Sequence, residues 1–386
     1  MENKESVQKI NKLFLIGNGL DIALGLKTSY TDFMFWLLKK QLIIACSNNK
    51  TRYHKGYQDS MFLDSKPFMI YGYSENELFK VLLKENYSNM LKTAEKVENL
   101  SNLVSFISKS KVSIKPKFKE GLFSKIYKQC DIGWVNIEET YFSLLKGILN
   151  GKEIFSITDL NKELELITGY LQEYLMELEI DLPWNVVDQY FEQFASPITP
   201  DEIILEKKDY SKIKNGHLYF LNFNYTEALS IILCKSGKEF EDYTINNIHG
   251  SFEFDEPIIF GYGDEMDDYY KKIENLRDNE FLKNIKSFRY FQNKNYRDLL
   301  RFLNSSPFQV CVYGHSCDVS DRVMLNEIFE HENCVSIKIY FYKDKHGNPD
   351  FTQKTMNISR HFNSNKLMRK KIVEFNPDNE IPQIKK

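Results

Sequence analysis

Leu13-Phe14-Leu15-Ile16-Gly17-Asn18-Gly19-Leu20-Asp21, an apolar run that breaks into two glycines, decides how the chain is read. Leu13 to Ile16 lacks polar alternation, as does a strand buried on both faces of a parallel sheet. Gly17-Asn18-Gly19 gives a tight turn, and the residues after it pattern as a helix. A glycine turn between strand and helix lets backbone N–H groups approach a phosphate, helped by the partial positive charge of the helix N-terminus. The third glycine of G-x-G-x-x-G is missing. A Walker A loop is excluded, because Gly19 to Gly25 is one residue too long and Leu26 separates Gly25 from Lys27. Taken alone, the turn serves equally well as a strand-to-helix connection with no ligand.

Outward from this stretch, similar apolar runs return late in the chain: His217 to Phe223, Tyr243 to Ile248, Pro257 to Phe260, Phe308 to Tyr313 and Cys334 to Tyr342. They predict further parallel strands, with Tyr243 to Ile248 the poorest fit because Asn246 and Asn247 interrupt it. Met34 to Gly216 patterns mostly as helix. Leu160, Leu164, Ile167, Leu171, Leu175 and Leu178 recur at three- and four-residue steps. Phe79 to Leu100 looks similar, and Phe281 to Leu303 predicts a further helix or two. Lys109 to Lys119, lysine-rich with Pro116 inside, is expected to be a solvated loop. The expected organisation is a discontinuous sheet core over residues 10–34 and 215–345, a helical insertion over 35–214 and a C-terminal extension over 346–386.

The bulk numbers suit a soluble globular protein: 386 residues, 42% apolar and 27% charged. A net charge of −3 gives no general electrostatic footprint for nucleic acid, which is not expected as a partner. Six cysteines without a Cys-x-x-Cys pair predict no zinc module, no other metal is expected, and scattered thiols fit the reducing cytosol. Met1 to Asn11 lacks a signal-peptide core, and no stretch approaches the ~20 apolar residues of a membrane span. A cytoplasmic protein without membrane contact is expected.

Four further motifs carry chemistry. Leu221-Asn222-Phe223-Asn224-Tyr225-Thr226 ends a strand, where polar side chains face the ligand crevice of open α/β folds. On the other reading, the two Asn cap a helix starting near Thr226. Asn246-Asn247-Ile248-His249-Gly250 places a potential general base at a strand end. A lone His is usually a hydrogen-bonded core residue, and the Gly beside it shifts this one toward function. Pro257 to Asp264, with Gly261, and Val312 to Asp321, with Gly314-His315-Ser316, are strand-then-glycine junctions. Ser316 and local N–H groups could hold a ribose or phosphate. His315 is a candidate second catalytic group for which packing is the stronger reading.

In this order the motifs resemble the sirtuin pattern. Gly17-x-Gly19-x-Asp21-x-x-x-Gly25-Leu26 is similar to the sirtuin GAGxSxxxGIP loop, and Asn222-Phe223-Asn224-Tyr225 falls where TQNID would. Ile248-His249-Gly250 is similar to the catalytic His-Gly, Pro257 to Gly261 to the P-x-V-V-F-F-G-E run, and Gly314-His315-Ser316 to GTSL. The opening LFLIGNGLDIALGLKTSYTDF (residues 13–33) resembles AbiH-type bacteriophage abortive-infection proteins more closely still. So do Trp134-x-Asn136-x-Glu138, the NYT and IHG motifs and the late YGHS. On a helix Trp134 and Glu138 share a face, which makes Glu138 a candidate to reach the crevice; a buried aromatic beside a surface or first-turn carboxylate serves the pattern equally well.

The resemblance implies a Rossmann-like (sirtuin-like) α/β core, a parallel sheet flanked by helices with a large, mostly helical insertion. It implies that NAD+ binds there as substrate. Asn224 and His249 would be catalytic, Asn224 positioning the nicotinamide ribose and a water, His249 acting on the ribose hydroxyls. Gly17, Asn18, Gly19, Asp21, Asn222, Tyr225, Gly250, Gly261, Gly314, His315 and Ser316 would bind the cofactor. Only Ser251 to Glu256 separates His249-Gly250 from Pro257, where sirtuins insert a zinc module, which argues against a protein deacylase. Asp21 stands where sirtuins have Ser, and a carboxylate beside a pyrophosphate is repulsive unless it faces a ribose hydroxyl or caps the helix. Asp264 follows Tyr262-Gly263 where sirtuins continue FGE directly.

The leading expectation is an antiphage effector that hydrolyses NAD+ to nicotinamide and ADP-ribose, subject to a phage-derived trigger and compatible with self-association. The alternative is a non-catalytic sensor of NAD+ or a related nucleotide. A nuclease or RNA-binding toxin ranks third, on Lys109 to Lys119 and Arg369-Lys370-Lys371. The acidic run Asp264 to Asp268 fits an exposed loop better than a cation site.

Overall fold

The computed structural model describes residues 8–48, 71–84, 90–118, 120–130, 136–204, 213–235, 240, 242–252, 256–263 and 268–384. Trp134 and residues 264–267 lie outside this set.

Eight strands are present among the described residues: β1 (Gln8–Ile16), β2 (Gly72–Glu75), β3 (Phe79–Leu83), β4 (Val112–Pro116), β5 (Ile213–Asn222), β6 (Tyr243–Asn247), β7 (Phe308–Tyr313) and β8 (Cys334–Ile339). Five make one parallel sheet in the order β6-β5-β1-β7-β8. The run that opened the reading is its central strand: Leu13 is opposite Tyr219 on one side and Val310 on the other.

The sheet is buried on both faces, which explains the unbroken apolar runs. Side chains alternate between two cores. Leu13, Leu15, Tyr219, Leu221, Val310, Val312, Ile337 and Ile339 pack with Leu299, Phe302, Leu325 and Ile328, from the helices Asn295–Leu303 and Arg322–Glu330. Phe14, Ile16, Leu218, Phe220, Cys311 and Tyr313 pack with Tyr190, Phe194, Leu229 and Ile232, from the helices Trp184–Ala195 and Ala228–Lys235. From β1 the chain builds outward to β6 on one side, then to β8 on the other, so the direction of winding reverses between β1 and β7. In open α/β sheets ligands bind outside the carboxyl ends of the strands at such a reversal.

Two compact units account for the chain. The parallel sheet belongs to Met1–Lys27, Leu178–Arg277 and Asn284–Lys386. The second unit, Thr28–Glu177 with Asp278–Lys283, carries the antiparallel sheet β2-β3-β4 and the helices Tyr30–Ser47, Leu100–Lys109, Leu122–Cys130, Ile137–Leu149 and Ile157–Met176. The expected leucine stripe holds in part: Leu160, Leu164, Ile167 and Leu171 are buried along the last of these helices, Leu175 is half-buried, and Leu178 lies past its end.

Three local expectations are corrected. Phe79 to Leu100 is not one helix, because Phe79–Leu83 is β3; among the described residues of the stretch, Met90–Lys96 is helical and Leu100 begins the next helix. Lys109 to Lys119 is not a loop throughout. Val112–Pro116 pairs with β3 as an edge strand, where Pro116 at its end is tolerated. Pro257 to Phe260 joins neither sheet. Its backbone groups are taken elsewhere: Ile259 N–H donates to His249 O (2.8 Å), Tyr225 donates to Ile259 O (3.1 Å), and Arg289 donates to Ile258 O (3.0 Å).

Candidate functional site

The turns after β1 and β7 interlock at the winding reversal. Gly17 N–H donates to Tyr313 O (3.2 Å) and Gly19 N–H to Gly314 O (2.9 Å). A Cβ on Gly19 would lie 2.6 Å from Gly314 O, and one on Gly17 would run into the His315 backbone. Gly314 has φ +74°, and its Cβ would lie 2.5 Å from Leu20 N. The glycines thus let two loops cross at backbone distance, and both of these N–H groups are spent on that crossing. The helix that follows, Gly19–Ala23, is a single short turn and a half. Asn18 at its start is exposed.

Asp21 lies inside this helix, 1% exposed. Its Oδ1 accepts from Asn224 Nδ2 (3.1 Å) and its Oδ2 from the Thr226 hydroxyl (2.8 Å). Burial pushes the carboxyl up to about 7, against the lowering effect of the Thr226 and Asn224 bonds. Both oxygens are engaged by β5-side donors, so the repulsion with a pyrophosphate raised by the sequence is met by a different use: Asp21 ties the first turn to the one after β5. Asn224 Nδ2 adds a bond to Gly17 O (3.1 Å), and Asn224 N–H donates to Asn222 Oδ1 (3.2 Å). Asn222 in turn donates to Asn247 Oδ1 (2.9 Å). This amide ladder runs across the ends of β5 and β6, and it leaves Asn224 Oδ1 without a hydrogen bond among the described residues.

His249 follows β6 with the register that Asn224 has after β5, since Asn222 and Asn247 are paired across the two strands. It is 6% exposed. Phe223 meets its ring edge-on at 5.1 Å, while Tyr225 and Tyr290 stack on it at 6.2 and 6.3 Å. Its Nε2 lies 3.3 Å from Asp321 Oδ1 and 3.3 Å from the Tyr290 hydroxyl. Its Nδ1 has no hydrogen bond among the described residues. Gly250 has φ +86°, and a side chain there would collide with Pro257 O.

Asp321 gathers the charges of the site. Lys286 Nζ, 1% exposed, lies 2.9 Å from Oδ1, and His315 Nε2 lies 3.7 Å from Oδ2. Burial alone would push the Asp321 carboxyl up. Lys286, His249 and His315 outweigh it and hold the group well below the usual carboxylate range. His315 goes the other way, burial taking its imidazole down to about 3 in spite of Asp321. Its Nδ1 accepts from Cys317 N–H (3.0 Å), and its ring packs 4.1 Å from Phe223, the packing role the sequence favoured.

The structure therefore brings Gly17, Gly19, Asp21, Asn222, Asn224, Tyr225, His249, Gly250, Gly314 and His315 to one end of the parallel sheet. Gly261 lies against Asn284, whose carbonyl accepts from Tyr262 N–H (3.2 Å). Ser316 is exposed, its carbonyl held by Asn357 Nδ2 (2.9 Å). Glu138 is in the first turn of Ile137–Leu149, a helix of the second unit capped by Asn136. Lys371, part of the basic cluster noted in the sequence, is buried and donates to Phe329 O and His331 O (both 2.8 Å), so it is no solvated cation. Asp321, Lys286 and Tyr290 escaped the sequence reading. Asp321 ends a quoted motif, and its proximity to Gly314-His315 was the one available signal. Among the described residues no group of three or more His, Cys, Asp and Glu is placed to hold a metal ion, and no helix is long and apolar enough to cross a membrane.

No curated protein and no solved structure matches the chain. Residues 13–343, from the first buried run to just past β8, match the family described as Bacteriophage abortive infection AbiH, and the chain belongs to that family.

Proposed function

We propose that this chain binds NAD+ at the carboxyl ends of β1, β5 and β6 and hydrolyses it between nicotinamide and ribose, as an effector of abortive infection. The family supports the antiphage role. The strand order supports a Rossmann-like reading: along the chain it is 3-2-1-4-5, as in dinucleotide-binding sheets. One observation carries the enzymatic reading. Asn224 and His249 leave paired strands at the same register, and each keeps one polar atom, Oδ1 and Nδ1, uncommitted.

Cleavage of the nicotinamide bond develops oxocarbenium character on the ribose. Asn224 Oδ1 is suited to accept from the attacking water or a ribose hydroxyl. His249 Nδ1 is suited to take a proton from a ribose hydroxyl or from that water. The bonds from Asn224 Nδ2 to Gly17 and Asp21 fix the direction of its carbonyl, so little reorganisation accompanies reaction.

The test is incubation of the purified chain with NAD+, with and without extract of phage-infected cells, and chromatographic detection of free nicotinamide. Release is expected, and Asn224→Ala and His249→Ala should each abolish it while the purified variants remain folded by circular dichroism. No release under any of these conditions refutes the reading. The non-catalytic sensor is favoured by one feature: the Asp321 carboxylate is already charge-paired within the protein, by Lys286 and His249. It calls for thermal stabilisation by NAD+ without turnover.

A further inference from the structure

We infer that Asp321, backed by Lys286, is the positioning residue that selects Nδ1 of His249 as the reacting nitrogen. This rests on the proposal that His249 is the site's proton acceptor, and it adds residues and a tautomer that neither the family nor the sequence motifs assign.

Asp321 stands at the N-cap of the helix Arg322–Glu330, a position where Asp ordinarily accepts from the first-turn N–H groups. It makes no such cap bond. The carboxylate is turned instead toward His249 and Lys286, at 3.3 and 2.9 Å, and gives up its local use. Lys286 is almost completely enclosed, and a buried ammonium needs a counter-charge at this distance. The pair therefore anchors Asp321 Oδ1, the same carboxylate oxygen that faces the imidazole.

Two partners converge on the same ring nitrogen. With a proton on Nε2, the imidazole donates to Asp321, with the Tyr290 oxygen 3.3 Å away as a second acceptor. With the proton on Nδ1, the Nε2 lone pair would face a carboxylate oxygen at 3.3 Å, a repulsive contact that the Tyr290 hydroxyl alone would have to offset. The first arrangement places the lone pair on Nδ1, the nitrogen without a hydrogen bond among the described residues. A carboxylate that orients a catalytic imidazole and fixes its tautomer is an established chemical device. His315, the other imidazole near Asp321, does not compete for the role, because its Nδ1 is already an acceptor for Cys317 N–H and its Nε2 is farther from the carboxylate, at 3.7 Å.

The experiment is 15N NMR of the full chain labelled at histidine, with the His249 signals assigned by their loss in His249→Ala. In the wild type the shifts should show Nε2 protonated and Nδ1 unprotonated. In Asp321→Asn, whose side chain can donate as well as accept, that pattern should give way to mixed or reversed tautomers. Turnover should fall about 10²-fold or more with KM little changed, and Asp321→Glu should recover part of it. Protonated Nδ1 in the wild type overturns the inference, as does an Asp321→Asn spectrum with unchanged His249 shifts. The wild-type spectrum decides the tautomer even if the variants fold poorly. Absence of wild-type turnover defeats NAD+ hydrolysis separately, because the ring shifts are read without substrate.

Discussion

Replacing Asp21 by Asn probes the join between the first turn and Asn224. The Asp21 carboxyl is raised from 3.8 to about 7, chiefly by burial, with Thr226 and Asn224 opposing. In the unfolded chain the group ionises near its ordinary value, while in the fold it keeps its proton until about 7. The folded state therefore binds more protons between those values, and stability is full below the lower one and drains away as pH rises through the upper one. The whole span corresponds to about 4 kcal/mol. Urea unfolding of both proteins across the range reads this directly, because other titrating groups are common to the two. From about pH 5 to about pH 8 the wild type should lose roughly 2.5 kcal/mol relative to Asp21→Asn. Parallel stability curves would refute the claim that a buried carboxyl with only these two partners sits between the turns.

Gly314→Ala forces a side chain into positive φ and against Leu20 N, and should cost at least about 2 kcal/mol in urea unfolding; an unchanged midpoint contradicts the interlocked turns. Lys12→Met removes a buried ammonium that donates to Phe194 O and Ser196 O; Ser196 O keeps its bond from Asn215 Nδ2, while Phe194 O loses its Lys12 donor. It should cost about 1–3 kcal/mol, with faster amide exchange near Ser196. His315, brought from 6.5 to about 3, stays neutral in the fold while the unfolded chain takes up its proton. Stability should therefore fall as pH drops through that window, by at most about 5 kcal/mol, and His315→Gln should remove this component.

The parallel core was legible because strands buried on both faces are predominantly apolar, the buried Gln309, Ser336 and Lys338 being paired with one another or with Glu202. The run Leu13 to Ile16, followed by its glycines, marked β1, and the later runs marked β5, β7 and β8. β6 was readable in spite of Asn246 and Asn247, which are accommodated by specific partners: Asn246 Nδ2 donates to the Tyr219 hydroxyl (2.6 Å) and Asn295 O (2.7 Å). The antiparallel sheet was illegible for the converse reason. β3 and β4 are five residues each, and alternation over so short a length is lost among flanking helical patterns, while Lys115 and the lysines flanking β4 look like a solvated loop. At the site, Asn224 and His249 stood out because each lies in a local strand-end motif. Lys286 did not, since it is carried by the four-residue helix Lys286–Arg289 and acquires meaning only through Asp321, a partner distant in sequence. The glycines were correctly placed in turns, but the contact that demands them is between two loops, which no single stretch of sequence encodes.

The most direct test is a crystal structure of the chain soaked or co-crystallised with ADP-ribose at saturating concentration. The account expects density across the ends of β1, β5 and β6, with a ribose within hydrogen-bond reach of Asn224 Oδ1 and His249 Nδ1. Ligand bound elsewhere on the chain, or no density at that end of the sheet, would contradict it.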